Sequence, residues 1–328
     1  MPSVQCYPKN QIINGRYQII RPLGEGAMSS VYLVRDLRLR GAEWALKELK
    51  LSQIPPHELD ESLKLFAREG EIIGKLNHPG LPQLIDFYSD GTKNNYIVME
   101  RVLGKTLDDV LSGRVLPLRS EEAIPIALQA AHVIGYLHKQ NPPIIFRDLK
   151  PSNLMLTSSG RVCFIDFGIA RFYRAEQLKD TQELGTPGFC APEQYRGHSN
   201  LRSDLYSLGV TLFYLLTLKD PQSFNFTFPL LSSLNPHVPK QLDAILERCL
   251  QIDPEKRYVS AQELSKDLET TLSDMHSAPT GSTRSLEPAL MSLSHHYQRL
   301  PQTSWHNVWN FWKSWCRAIF LPKKKIRS

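Results

Sequence analysis

The apolar positions fall into two regimes along the chain. Over the first hundred residues, short apolar runs at 17–20, 31–34, 44–49 and 96–100, separated by polar or glycine-bearing turns, read as strands. Between the third and fourth, residues 57–77 change period: Leu65, Glu69, Ile72, Ile73 and Leu76 fall on one face at helical spacing. Glu71 lies opposite with Lys64, Arg68 and Lys75, where Glu71 and Lys75 form an ordinary surface pair. Glu69 sits inside the apolar stripe, and a carboxylate there needs a buried cation. Lys47, between Leu46 and Glu48 on the third strand, is the partner assigned to it. Farther along, the apolar run 205–218 reads as a buried helix, and Ser260 with Glu263 has the capping-box spacing that starts a last helix.

Chemistry concentrates between Phe146 and Gly168, where the chain reads FRDLKPSNLMLTSSGRVCFIDFG. Asp148, Lys150, Asn153 and Asp166 follow one another along a loop and the hairpin after it. Moving a terminal phosphoryl group needs oxygen ligands for a divalent ion, a cation on the phosphate and a carboxylate facing the attacking hydroxyl. Asn153 and Asp166 offer the oxygens, which suffice because magnesium keeps several waters and takes further ligands from the phosphates. Lys150 supplies the cation and Asp148 the carboxylate. Upstream, Gly24, Gly26 and Ser29 form a GxGxxG-like turn between the first two strands. A dinucleotide-binding fold would need a helix next, and none begins there.

These segments resemble the protein kinase family, whose catalytic loop runs HRDLKxxN and is followed by DFG; here Phe146 stands in the histidine's place. The resemblance implies that Asp148 is the catalytic base, that Lys150 steadies the transferred phosphate, and that Asn153 and Asp166 bind magnesium. It implies that Leu23, Gly24, Glu25, Gly26, Ala27, Met28, Ser29, Ser30 and Val31 cover ATP, with Ser29 where a third glycine is usual. Ala45 and Lys47 match the family's AxK strand, and Lys47 with Glu69 its phosphate-holding ion pair. The run 96–100, ending in Val102, Leu103 and Gly104, resembles the hinge between lobes. Adenine would then bond the backbone around Glu100 to Val102, with Met99 behind it and Leu23, Val31 and Ala45 as walls; Met99 fits equally a plain core methionine.

The segment GTPGFCAPE at 185–193 resembles the end of the family's activation segment. Thr186 would sit near Asp148 and Lys150, and Thr181, Thr186 and Tyr173 are hydroxyls available for phosphorylation. Arg147 is the residue that would receive such a phosphate, for example at Thr181. Asp204 would hold the catalytic loop's backbone, and Arg257 would pair with Glu193. The DLKPSN and GTP segments resemble serine/threonine rather than tyrosine kinases, and IDFGIAR with PEQY is similar to bacterial members.

At 328 residues and 41% hydrophobic, the chain has room for two lobes and a tail. Cys6, Cys163, Cys190, Cys249 and Cys316 are odd in number and without a CxxC, so neither a disulfide framework nor a zinc site is indicated. No signal sequence opens the chain and no apolar run is long enough to cross a bilayer, which suits a cytoplasmic location. The charge is unevenly placed: from His276 onward eight Lys and Arg face one acid, Glu287, an excess of seven that surpasses the whole chain's net +6 and leaves the body at net −1. In that tail Trp305, Val308, Trp309, Trp312, Trp315, Cys316, Ile319 and Phe320 recur at helical spacing, and Lys323, Lys324, Lys325 and Arg327 follow. Such a stripe suits the headgroup boundary at the inner face of a membrane, where each cation adds about 1 kcal/mol, and it suits equally docking on the body or on a protein partner. Nucleic acid is not expected, since no recognised module is present.

The expected fold is α+β and two-lobed: an extension at 1–15, a kinase domain at 16–272 divided at 101/102, a Ser/Pro/Thr-rich linker at 273–304 and the basic tail at 305–328. The expected cofactors are ATP and Mg2+, with Mn2+ able to serve, and the partners are protein substrates; the sequence sets no oligomeric state. A catalytically inactive kinase-fold scaffold and a small-molecule kinase of similar fold are the rival readings.

Overall fold

The period-2 runs of the first hundred residues pair into one antiparallel sheet in the computed structural model, which describes residues 7–26, 28–90, 94–168, 170–172 and 185–277. Ala27, Tyr173, Thr181 and the Trp-rich tail lie outside the described residues. The strands are β1 (Ile12–Ile13), β2 (Tyr17–Glu25), β3 (Ser29–Asp36), β4 (Glu43–Leu49), β5 (Leu84–Ser89) and β6 (Asn95–Glu100), in the order β1-β2-β3-β4-β6-β5. Pro22 in β2, opposite Tyr32, borders an irregularity in the β2–β3 register, the kind of position where a residue without an N–H is tolerated.

Register decides what faces the cleft. Lys47 lies opposite Val31 and Ile97, and Ala45 opposite Leu33 and Met99, so these residues share one face. Tyr32, Leu46 and Val98 form the opposite face and, with Tyr17, Ile19, Val34 and Tyr96, a separate buried cluster. A slip of one residue in β4 would carry Lys47 out of the cleft. Helix α1 (Leu59–Lys75) lies close to β5, with Phe66 against Phe87 at 6.1 Å. The lobe reaches upstream of residue 16, because β1 pairs with β2 and buries Ile13, and the Tyr7 ring packs at a tilt against Tyr32 at 5.4 Å between centroids.

The second lobe is mainly helical, built from α2 (Leu107–Leu111), α3 (Ser120–His138), α4 (Leu201–Thr217), α5 (Leu231–Leu234), α6 (Gln241–Cys249) and α7 (Ala261–Ser277). Short strands β7 (Gly104–Thr106), β9 (Leu154–Thr157) and β10 (Val162–Phe164) form one small sheet, and β8 (Ile144–Ile145) with β11 (Arg171–Phe172) another. Helix α4 is the axis of this lobe: a Cβ on Gly209 would stand 2.6 Å from the Cys249 Cβ, so glycine permits α4 and α6 to approach. Helix α7 begins where the capping-box spacing puts it, with the Ser260 hydroxyl accepting from the Glu263 amide at 3.2 Å. The Glu263 carboxylate instead reaches the Val259 amide and Arg248, so only half of the reciprocal box forms. The helix runs to Ser277, past the expected limit at 272, with Met275 packed against the core. Among the described residues no helix is long and apolar enough to cross a membrane.

Candidate active site

Three charged side chains from three elements meet below the sheet. Lys47 Nζ on β4 donates to both Glu69 oxygens at 2.7 and 2.8 Å, and to Asp166 Oδ1 at 2.8 Å. Glu69 is 3% exposed, as its place in the apolar stripe of α1 requires, and the Phe167 amide gives it a further hydrogen bond. Burial works against the Lys47 ammonium, yet the two carboxylates outweigh it and hold the group well above the ordinary lysine range. Burial likewise pushes the Glu69 carboxyl up against the opposing pull of Lys47. Burial also opposes ionisation of Asp166, but Lys47 and the Gly168 amide, 3.0 Å from Oδ1, keep its carboxyl below the usual range. Asp166 is therefore held as an anion.

The second cluster is built on the loop between β8 and β9. Asp148 Oδ1 accepts from the Thr186 hydroxyl at 2.6 Å, and Oδ2 accepts from Asn153 Nδ2 at 2.8 Å, with Lys150 Nζ 2.9 Å from the same oxygen. Lys150 also donates to the Thr186 hydroxyl. The geometry thus joins four of the sequence-selected residues, Asp148, Lys150, Asn153 and Thr186, into one network. The loop is held from below. Asp204, fully buried at the start of α4, accepts from the Phe146 and Arg147 amides at 2.9 and 2.8 Å. Arg147, 2% exposed, adopts a left-handed backbone at φ 73°, a conformation that costs a non-glycine residue energy and persists only where surroundings fix it. Gln194 completes the fixing by donating to the Arg147 carbonyl at 3.0 Å. Phe146 is buried between Phe164 and Phe167, at 4.8 and 5.2 Å between ring centroids.

The glycine-rich turn closes through Gly26 N–H donating to the Ser29 carbonyl at 2.8 Å. Ser30 departs from the expected nucleotide contacts: it pairs with Glu48, on the face away from Val31, and is buried, so alternation turns its side chain out of the cleft. Glu25 is engaged by Lys50, whose buried ammonium donates to it at 2.7 Å, while the Lys50 amide donates to the Met28 carbonyl. Met99 is 6% exposed in the main core, Val31 and Ala45 are half-buried and Leu23 is exposed. At the hinge the Glu100 amide already donates to the Gln83 carbonyl at 2.8 Å, which leaves that donor unavailable to a base.

Three participants were not found in the sequence. His138 Nε2 lies 2.9 Å from Asp204 Oδ2, Gln194 braces Arg147, and Lys50 holds Glu25. A lysine three positions after Lys47 was the one available signal for Lys50; nothing local marked the other two. Arg257 and Glu193 form a bidentate pair at 2.6 and 2.8 Å away from the cleft.

A family model described as protein kinase domain matches residues 17–268. The chain is similar to the serine/threonine-protein kinase PrkC of Bacillus subtilis, with 33% identity across 79% of this chain and 41% of that protein. It is similar to the serine/threonine-protein kinase PknB of Mycolicibacterium smegmatis, with 36% identity across 79% of this chain and 43% of that protein. The chain thus spans about two fifths of the length of the curated relatives it matches. Among solved structures, the PknI kinase domain of Mycobacterium tuberculosis superposes with a TM-score of 0.64 at 28% identity, covering 81% of this chain and all of that one.

Proposed function

The chain belongs to the protein kinase domain family, and from that premise we propose that it transfers the terminal phosphoryl group of ATP to serine and threonine hydroxyls of proteins, its own among them. The observation that carries this reading is the meeting of Lys47, Glu69 and Asp166 with the network around Asp148 in one chain, since a scaffold could dispense with any of these groups. In this reading Asp148 accepts the proton of the acceptor alcohol, oriented by Asn153 and Thr186. Lys150 places a cation beside the transferred group, and Lys47, positioned by Glu69, holds the nucleotide's phosphates.

The donor set suits a hard divalent ion. Asp166 Oδ2 and Asn153 Oδ1 carry no hydrogen bond among the described residues, and no group of three or more His, Cys, Asp or Glu there could hold a metal unaided. Two protein oxygens completed by phosphates and water match Mg2+, with Mn2+ a workable substitute. When bound, the ion neutralises charge on the phosphates. Incubation with ATP and Mg2+ followed by phosphopeptide mapping is expected to find phosphate on Ser or Thr. Absence of label with either metal, or label confined to small metabolites, would overturn the reading.

Lys50 and Glu25 act on the turn that covers the nucleotide. Lys50→Met removes the anchor without stranding a buried charge, because Glu25 is half exposed and hydrates. The KM for ATP is expected to rise roughly fivefold, about 1 kcal/mol and the net size of one ordinary hydrogen bond because half-exposed Glu25 hydrates on release, with kcat within about twofold. An unchanged KM would show that the pair does not position the turn.

The basic Trp-rich segment 305–328 is read as the part that touches an anionic membrane surface, which would place a cytoplasmic enzyme at the inner face. Deleting residues 302–328 is expected to leave phosphotransfer intact and to abolish sedimentation with phosphatidylserine vesicles. Sedimentation that persists without the segment would refute this.

A further inference from the structure

Glu69 and Asp166, the two carboxylates on Lys47, come from different elements, and the turn 77–80 after α1 is joined to both of them. Leu76 and Leu81 are buried on either side of it. The Gly80 carbonyl accepts from the Phe164 amide at 2.9 Å, two residues ahead of Asp166, and the Pro79 carbonyl accepts from the Cys163 thiol at 3.7 Å. Gly80 is wedged between α3 and β10: a Cβ there would stand 2.5 Å from Val133 Cγ2 and 3.2 Å from the Val162 carbonyl oxygen. The turn thus fixes where α1 stands against β10, and with that the gap Lys47 spans. A histidine closes the turn from inside. His78 Nδ1 accepts from the Gly80 amide at 3.0 Å, so Nδ1 is the bare nitrogen of a neutral ring and Nε2 carries the proton. The half-buried ring packs at a tilt against Tyr136 on α3, 4.9 Å between centroids, and the Tyr136 hydroxyl accepts from the Asn77 amide at 2.9 Å. The titratable groups around His78 are Tyr136 and His132 of α3, with Glu269 of α7 4.0 Å from His132 Nε2, and, across Pro79, the Cys163 thiol of β10. Among the described residues no carboxylate pairs with the His78 ring, so nothing compensates a charge placed on it.

We infer that His78 is an acid-sensitive positioning residue: its neutral ring holds the turn that sets Glu69 and Asp166 about Lys47, and protonation of Nδ1 releases that turn. For its effect on phosphotransfer the inference rests on the kinase reading, and for its effect on stability on the geometry alone. An imidazolium turns an N–H toward the Gly80 N–H across 3.0 Å, donor against donor, where a protonated His132 repels the same charge. Burial, and then His132, hold the imidazole below the ordinary histidine range. The hold is therefore complete above the ordinary value of about 6.5 and is lost as pH falls from there through the lower folded value.

The test compares the full chain with His78→Asn, whose Oδ1 accepts in place of Nδ1 without titrating, and with His78→Leu, which has no acceptor. Phosphotransfer with ATP and Mg2+ is followed at about pH 8 and about pH 5.5, on either side of the histidine range, and melting is recorded in the same buffers. The Asn variant is expected to match the parent at the higher pH and to exceed it about fivefold in kcat/KM for ATP at the lower, the size of one net hydrogen bond. The Leu variant is expected to lie about fivefold below the parent at the higher pH and to draw level with it at the lower. Asp148 and Asp166 are common to all three chains, so their own titration cancels in these ratios. Melting temperatures should follow the same order, a readout that needs no kinase activity. A ratio of Asn variant to parent that is the same at both pH values, or a Leu variant equal to the Asn variant at the higher pH, would overturn the proposal while labelling itself upheld the kinase reading. Melting that follows pH while kcat/KM does not would make His78 a structural residue alone and overturn its positioning role. No labelling by any of the chains would instead count against the kinase reading and remove the positioning role with it, while melting would still report the turn.

Discussion

Asp148→Asn is expected to lower the rate of phosphate transfer by about 10³-fold while leaving the melting temperature near that of the parent chain. General-base assistance contributes roughly 10²- to 10⁴-fold, and the middle of that range follows because the substitution touches more than proton transfer. The Asp148 carboxylate is also the anion that draws Lys150 to 2.9 Å and accepts from Asn153 and Thr186. Asparagine keeps the size and one accepting oxygen, so the loop stays folded on Asp204, but the charge that organises the cation is gone. Nucleotide affinity should change little, since Lys47, Glu69 and Asp166 make their contacts independently of Asp148. Single-turnover transfer, nucleotide titration and thermal melting of the same preparation separate these effects. A transfer rate within fivefold of the parent would remove Asp148 from the role of proton acceptor and leave it a loop-ordering group.

The cleft was legible in the sequence where a residue violated its surroundings. Glu69 stands in an apolar stripe, and the cost of burying a carboxylate alone forces a cation nearby; the alternating strand supplies only Lys47. The same reasoning fails for Lys50 and Glu25, which look like ordinary surface charges until the β2–β3–β4 register brings them together. It fails again for Ser30, whose place in a glycine-rich turn suggested a nucleotide contact although pairing with Glu48 sends its side chain to the far face. Helix α3 gave no amphipathic signal to read: from Ala123 to Leu137 it is buried on most sides, so apolar residues recur without a polar face to set the period. The bracing of Arg147 by Gln194 and the approach of His138 to Asp204 join positions 47 and 66 residues apart, where spacing carries no information. Edges were the other weakness. Ile12 and Ile13 form too short a run to register as a strand, and they become one because β2 offers a partner edge and Ile13 fills the cluster beneath Tyr17.

Arg257→Met is expected to destabilise the described domain by about 4 kcal/mol. The guanidinium is fully buried and uses its whole fork: Nη1 and Nη2 grip Glu193 at 2.6 and 2.8 Å, Nε donates to the Gln251 carbonyl at 2.7 Å, and Nη1 and Nη2 also reach the Arg202 and Ile252 carbonyls. It also lies 4.8 Å over the Tyr206 ring. Methionine fills much of the volume but takes from Glu193, 11% exposed, its bidentate cation and leaves it the Ser203 hydroxyl at 2.6 Å, and removing one partner of a buried pair typically costs 3–5 kcal/mol. Against a total stability of roughly 5–15 kcal/mol the loss is large enough to populate the unfolded form under mild denaturant. Removing both charges, as Arg257→Met with Glu193→Leu, should cost clearly less than the two single changes added together, because no carboxylate is then left stranded. Urea titration of the three variants gives the coupling directly. The cleft should register the change too, since Glu193 precedes Gln194, the donor to the Arg147 carbonyl, and follows Thr186 on the same segment. A single-variant shift below about 1 kcal/mol would mean that the pair is replaceable by solvent and that this segment is held by its backbone contacts alone.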